Sequence, residues 1–316
     1  SVYGPKFDTM IAHHLVQPGL KHNMDYLAEV YLNYKTITIE SLIGPKGRNQ
    51  KTLASVDLEQ VKEYASEDAD ITFQLKNALS KELDENNLTS HFQEVEMPLM
   101  DVLVEMEHTG VSIDSEALNE TSKELNGKLA KIEDEIIQMA GTTFNVASPK
   151  QVGEILFDHL KIDAKATKTK SGQYSTSEDV LQKIKDSHPI IPLILEHRGL
   201  SKLLSTYVNA LPELVNKSSN RIHTSYNQSV VVTGRLSSTN PNLQNIPIRD
   251  EEGRMIRKAF VPINDDFLFL SADYSQIELR IMAHLSQDKH LIEAFNRGED
   301  IHAATASRIF GTSIAD

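Results

Sequence analysis

The segment SADYSQIELR, residues 271–280, follows directly on the apolar run FLFL at 267–270, and its reading decides the fold. Phe267, Leu268, Phe269 and Leu270 form an unbroken apolar run, the pattern of a strand buried on both faces. Such a strand delivers whatever follows it to the rim of a sheet, where α/β folds keep their sites. Asp273 is therefore expected at a rim, with Glu278 five residues on, in a helix SQIELRIMAHLS. Taken alone, an Asp after a strand is more often a helix N-cap than a metal ligand, and Ser275 could equally serve as that cap.

The chain around this segment has 316 residues, 40% of them hydrophobic, more than one core usually holds, so two or three domains are expected. It contains no cysteine, which excludes a disulfide framework and thiolate metal sites and suits a reducing, cytoplasmic setting. No run approaches the length of apolar sequence that crosses a membrane, and the amino end has no signal-peptide pattern. The net charge of -13 argues against a polyanion partner only as an average. Residues 1–100 carry 9 Lys/Arg against 15 Asp/Glu, whereas residues 198–258 carry 9 against 4. Charges are screened over roughly 8–10 Å at physiological salt, so the local excess makes 198–258 the candidate polyanion site.

Apolar periodicity predicts a long helix over 57–85, with Val61, Tyr64, Ala65, Asp68, Ile71, Leu75 and Leu79 on one side. A second helix over 94–111 closes on Gly110, and a third, amphipathic and charged, covers 115–139. Residues 161–177, rich in Lys, Ser, Thr and Gly, read as an exposed, mobile loop that is either a solvated linker or a brush against phosphates. From 221 the alternation in RIHTSYNQSVVVTGRLSS predicts strands, and STNPNLQNIP a turn-rich loop. There is no internal repeat. The expected fold is helix-rich α/β (α+β), divided at 1–88, 89–220 and 221–316.

Three further stretches give the pattern its company. TGRLSSTNPNLQNIPIRDEEGRMIRKAF (233–260), SADYSQIELRIMAHLS and DIHAATA together closely resemble the palm of family A DNA polymerases. EHRGLSKLLSTY and the helical stretch before it are similar to that family's thumb. FDTMIAHHL and EYASEDADITFQL resemble the end of its RNase H-like 3'-5' exonuclease domain, so nearly the whole chain is covered.

The resemblance implies template-directed DNA synthesis by two-metal nucleotidyl transfer, with Mg2+, deoxynucleoside triphosphates and primer-template DNA as cofactor, substrate and partner. Asp273 takes the place of the aspartate that binds both metal ions, and the Tyr274 carbonyl completes one coordination shell; oxygen ligands suit a hard cation. Gln276, Glu278 and His302 match nucleotide-site residues, Glu278 crowding the sugar's 2' position and His302 meeting the triphosphate. Glu278 is also a favourable acid for a first helical turn. Arg235 is placed on the minor groove at the primer terminus, where every base pair presents acceptors. Asn242, Gln244, Asn245 and Arg249 line the duplex, with Arg198 and Lys202 on its phosphates; that pair, four residues apart, is equally compatible with an ordinary solvated face. Tyr64 and Asp68 fit the exonuclease's Y-x-x-x-D spacing, although helix packing alone would also give it.

The same resemblance implies further exonuclease motifs before Phe7, and a fingers helix and a second metal aspartate beyond Asp316. Both ends therefore read as cuts, and the sequence as given is expected to be a monomer without synthetic or nuclease activity. A non-catalytic DNA-binding module derived from a polymerase is the alternative.

Overall fold

The computed structural model describes residues 4, 6–162, 166–170, 172–248 and 251–311. It divides into two units, Ser1–Ile263 and Asn264–Asp316. Helices dominate both, and the helix starts follow local chemistry. Asp8, Asp57 and Asp114 each turn a side-chain oxygen to accept from a first-turn amide, at the heads of Thr9–Val16, Leu58–Glu85 and Ser115–Ala140. Such caps satisfy donors that the helix itself leaves unpaired.

Within the first unit lie two hydrophobic cores. One gathers Ile11, Ala12, Leu27 and Ala28 against Ile71, Leu75, Leu79 and Leu83 of the long helix, with Phe92 and Met97 from the next. The other packs Leu118, Leu125, Ile132 and Ile136 of Ser115–Ala140 against Ile190, Ile191, Ile194 and Leu200 of Ile190–Leu203, and it also takes in Ile222, Ile256 and Ala259. Thumb-like helices and palm-like sequence thus share a core. The helix Met97–Thr109 ends on Gly110 at φ +66°, as predicted, and a Cβ there would lie 2.6 Å from the Ile222 carbonyl oxygen. That close approach lets Val111 and Ile222 pair, their amides and carbonyls bonding at 2.9 Å.

Strands are few and short. Ser112–Ile113 pairs antiparallel with Phe260–Val261, and Ser225–Asn227 with Ser237–Thr239. The second pair falls inside the stretch expected to form strands. The strand expected at 267–270 is not formed: Phe267, Leu268, Phe269 and Leu270 lie outside any ladder, with Leu268 93% and Leu270 88% exposed. A buried strand requires hydrogen-bonding neighbours and covered faces, and the described residues around it offer neither. The expected cap at the next helix also differs. Ile277–Ser286 begins after Gln276, which sits in the left-handed region at φ 54° with no side-chain cap bond, so neither Asp273 nor Ser275 caps it. Residues 161–177, as far as they are described, are tied down rather than free. Lys168 bridges to Tyr174, whose ring packs on Phe157 and whose hydroxyl donates to Asp158 at 2.6 Å, and Thr176 is buried.

The first core holds a buried polar feature that the sequence reading passed over. His13, His14 and His22 are all nearly inaccessible, and His22 bonds the other two, with His13 Nδ1 at 2.7 Å from its Nδ1 and His14 Nδ1 at 3.1 Å from its Nε2. A neutral imidazole donates at one nitrogen and accepts at the other, so His22 can give to one of its neighbours and take from the other. Burial, with His22 and His14 beside it, pushes His13 down to about 4; burial likewise lowers His22. With folded values below the unfolded 6.5, the unfolded chain takes up more protons as the medium acidifies. Stability is therefore full above pH 6.5 and is lost as pH falls towards 4. The melting temperature followed by circular dichroism should drop by about 5 °C or more across that window, and His13→Gln should flatten the dependence.

Candidate nucleic-acid interface

In the first unit, Lys202, Asn242, Gln244 and Asn245 come together around an open groove of about 930 Å3, whose walls include Gly199, Thr206, Tyr207 and Ile246. Lys202 arrives on the last turn of Ile190–Leu203, and the three carboxamides on the loop after Ser237–Thr239. All three are exposed, and the Asn242 side-chain oxygen accepts from the Gln244 amide at 3.0 Å, an Asx turn that spends one acceptor on shaping the loop. One cation and several amide donors and acceptors at the mouth of a groove make a surface for phosphates and base edges, without the apolar enclosure of a small-molecule pocket.

Arg198 is directed elsewhere. Its guanidinium donates to the Thr176 carbonyl and, at 3.0 Å, to the Thr176 hydroxyl, and burial lowers its basicity. The expected pairing of Arg198 with Lys202 on one outward face is thus not what the structure presents: Arg198 pins the 161–177 loop to the helix. The difference arises because Arg198 is half-buried, beside His197 and two residues before Leu200, both in the core. Arg235 is exposed, just after Gly234, which turns the chain at φ +76°. Arg249 lies outside the described residues.

Tyr64 and Asp68 are neighbours on Leu58–Glu85, as their spacing requires, with Glu67 of the same helix and Asp25 of another beside Asp68. Burial raises the Asp68 carboxyl; a hydrogen bond with Tyr64 opposes this, while Glu67 and Asp25 reinforce it. Tyr64 is raised in turn, by burial and then by Asp68. Asp68 Oδ1 has no hydrogen-bond partner in this structure. Asp25 accepts from Thr36 Oγ1 at 2.6 Å, and Glu67 from the Tyr34 hydroxyl and the Ile37 amide, both at 2.7 Å. Sequence reasoning missed Asp25 and Glu67: Glu67 is the adjacent residue on the same helix, whereas Asp25, 43 positions away, reaches Asp68 only through the fold.

In the second unit, Asp273, Tyr274, Gln276 and Glu278 are exposed, Tyr274 to 80%. Glu278 occupies the first turn of Ile277–Ser286, where the helix dipole favours an acid. Gln276 Nε2 lies 3.4 Å from His302 Nε2, so the structure brings together two residues separated by 26 positions. His302 sits at the head of Ile301–Phe310, where its amide and that of Ala303 donate to the Asp300 side chain. The Asp300 carboxylate thus already occupies the positive end of this helix, and these bonds hold its pKa below the usual carboxylate value. Among the described residues no group of three His, Cys, Asp or Glu side chains could hold a metal ion. The Asp273 carboxylate and Tyr274 carbonyl are of the right oxygen chemistry for Mg2+ but do not make a complete site.

Similarity to known proteins extends over nearly the whole chain. Residues 115–316 match the family described as DNA polymerase family A, and residues 3–84 match 3'-5' exonuclease. The chain is similar to DNA polymerase I of Borreliella burgdorferi, at 48% identity over 306 residues, 97% of this chain and 33% of that protein. DNA polymerase I of Bacillus subtilis is 44% identical over 308 residues, 97% of this chain and 34% of that one. The chain thus spans about a third of the length of the curated relatives it matches. Among solved structures it is similar to the POL domain of Pol1 from M. smegmatis in complex with DNA primer-template and dNTP, with TM-score 0.82 and 38% identity, covering 98% of this chain and 50% of that one.

The raised carboxyl of Asp68 fixes the sign of a mutational effect. A group whose folded value lies above its unfolded one contributes stability below the unfolded value and costs it as pH rises through the folded one. Asp68→Asn should therefore raise the melting temperature at pH 7, by about 2–5 °C, and the gain should shrink towards zero near pH 3. Paired thermal melts at the two pH values check it.

Proposed function

The chain belongs to DNA polymerase family A, and we propose from this that it supplies part of a DNA-directed DNA polymerase, carrying part of an associated 3'-5' exonuclease. The groove of Lys202, Asn242, Gln244 and Asn245 takes primer-template duplex, with Arg235 and Arg249 completing the contact. Lys202 neutralises phosphate, while the carboxamides meet minor-groove acceptors that every base pair offers, so sequence is not discriminated. A polymerase needs that indifference. The observation that carries the reading is the groove itself, where residues from two separated segments converge on one open face.

In the same reading, Asp273 and the Tyr274 carbonyl contribute ligands to Mg2+, which when bound stabilises charge on the attacking and leaving oxygens of a phosphoryl transfer. His302 and Gln276 hold the nucleotide's triphosphate, and Glu278 restricts the space beside its sugar. Tyr64 and Asp68 belong to the exonuclease part. On the same reading the 316-residue chain by itself neither extends a primer nor degrades single strands, because one carboxylate does not hold two divalent cations in the geometry the transfer needs.

Two experiments test this. Primer extension by the chain alone should stay at background; template-directed incorporation that Asp273→Asn abolishes would contradict the proposal. In a full-length polymerase carrying this sequence, Asp273→Asn keeps size but removes charge, and kcat should fall by ~10³ or more, with DNA affinity nearly unchanged. Glu278→Ala should retain synthesis while relaxing discrimination against ribonucleotides, which differ by a hydroxyl that a tight pocket excludes. Intact discrimination in Glu278→Ala would remove the sugar-selection role from that residue.

A further inference from the structure

The loop that carries the three groove carboxamides is held by its main chain. Three consecutive carbonyls accept from side chains of two other segments. The Tyr207 hydroxyl donates to the Asn245 carbonyl at 2.6 Å. From a different helix, Arg257 donates through Nη2 to the Ile246 carbonyl at 2.9 Å and through Nε to the Pro247 carbonyl at 3.0 Å. At the start of the loop, the Leu243 amide donates to Ser238 Oγ at 3.1 Å. Tyr207 is buried in the second core, one residue before Val208, and burial raises its hydroxyl's pKa. It therefore stays a neutral donor.

The bases of both clamps are themselves joined. Lys128, on Ser115–Ala140, reaches Glu252 at 2.7 Å and Glu196 at 3.3 Å. Glu252 belongs to Glu251–Lys258, the helix that carries Arg257; Glu196 belongs to Ile190–Leu203, which carries Lys202. One lysine thus ties the helix that fixes the loop to the helix that supplies the groove's cation.

We propose that Tyr207 and Arg257 are positioning residues that lock the 242–248 loop so that Asn242, Gln244 and Asn245 meet duplex DNA already oriented. The inference rests on the reading of the groove as a duplex site and goes beyond it by naming what sets its geometry. A polar loop rich in Asn and Gln would otherwise present its carboxamides in many orientations, and the ordering cost would be met at binding. Carbonyls held by donors from two helices remove that freedom while leaving each carboxamide exposed. Arg257 suits the task because its planar fork spans two adjacent carbonyls, which the single ammonium of lysine cannot do.

Tyr207→Phe and Arg257→Lys remove the clamps while preserving volume in one case and charge in the other. In the free 316-residue chain, backbone order parameters of residues 242–246 should fall from about 0.85 to below about 0.6 in each variant. Affinity for primer-template duplex, read by fluorescence anisotropy, should fall about 5-fold at an unchanged salt slope, since no phosphate-neutralising charge is lost. In a double-mutant cycle, Asn245→Ala should cost less in the Tyr207→Phe background than in wild type; a merely structural role for Tyr207 would leave the two costs equal. Unchanged order parameters in both variants, or additive costs, would overturn the lock. A wild-type chain with an ordered loop and no affinity for duplex would instead overturn the reading of the groove.

Discussion

The packing of Ser115–Ala140 against Ile190–Leu203 is the constraint on which the first unit's interface depends. Leu125, Ile132 and Ile136 on one helix and Ile191, Ile194 and Leu200 on the other are almost fully withdrawn from water. Burying a side chain of that size stabilises by about 1.5–3 kcal/mol, and truncating one to Ala costs about 2–5 kcal/mol. The same core takes in Tyr207, Ile222, Ile256 and Ala259, so helices and palm-like segments are fixed by one set of contacts. Lys202 reaches the groove only because its helix is seated there. Lys128 adds an ion-paired tie across the same helices, exposed enough for orientation to be its main contribution.

Helices were legible in the sequence because their determinants are local. Asp57 and Asp114 mark two starts, Gly110 marks an end, and the 3.6-residue spacing of Ile71, Leu75 and Leu79 marks a buried stripe. The run at 267–270 was misread for the opposite reason. Apolar composition specifies that a segment wants burial and pairing, but a strand's hydrogen bonds come from residues distant in sequence. Of the pairs that do form, Tyr226 with Ser238 is only 12 positions apart, whereas Ile113 with Phe260 joins distant segments that no local pattern matches.

The site divides along the same line. Lys202, Asn242, Gln244 and Asn245 were placed by their sequence context, and the fold gathers them at one groove. Arg198 was not legible: its spacing from Lys202 suggested a shared face, yet Thr176, 22 positions away, captures it. The approach of Asp25 to Asp68 and the grip of Tyr207 on the loop are likewise long-range, and the three-histidine chain and the bonds of Arg257, though closer in sequence, follow no periodicity. Family resemblance supplied residue roles; the fold supplied the partners that orient them.

The proposal on which the rest turns is that residues 198–258 give this acidic chain a local cationic face for duplex DNA. Its most direct test is a titration of primer-template duplex over a range of salt concentrations, with wild type and Lys202→Ala compared. Each phosphate neutralised contributes about -0.9 to the slope of log affinity against log salt. The account predicts a steep negative slope for wild type that becomes shallower by about 0.9 in Lys202→Ala. Affinity independent of salt, or a slope untouched by the substitution, would contradict it.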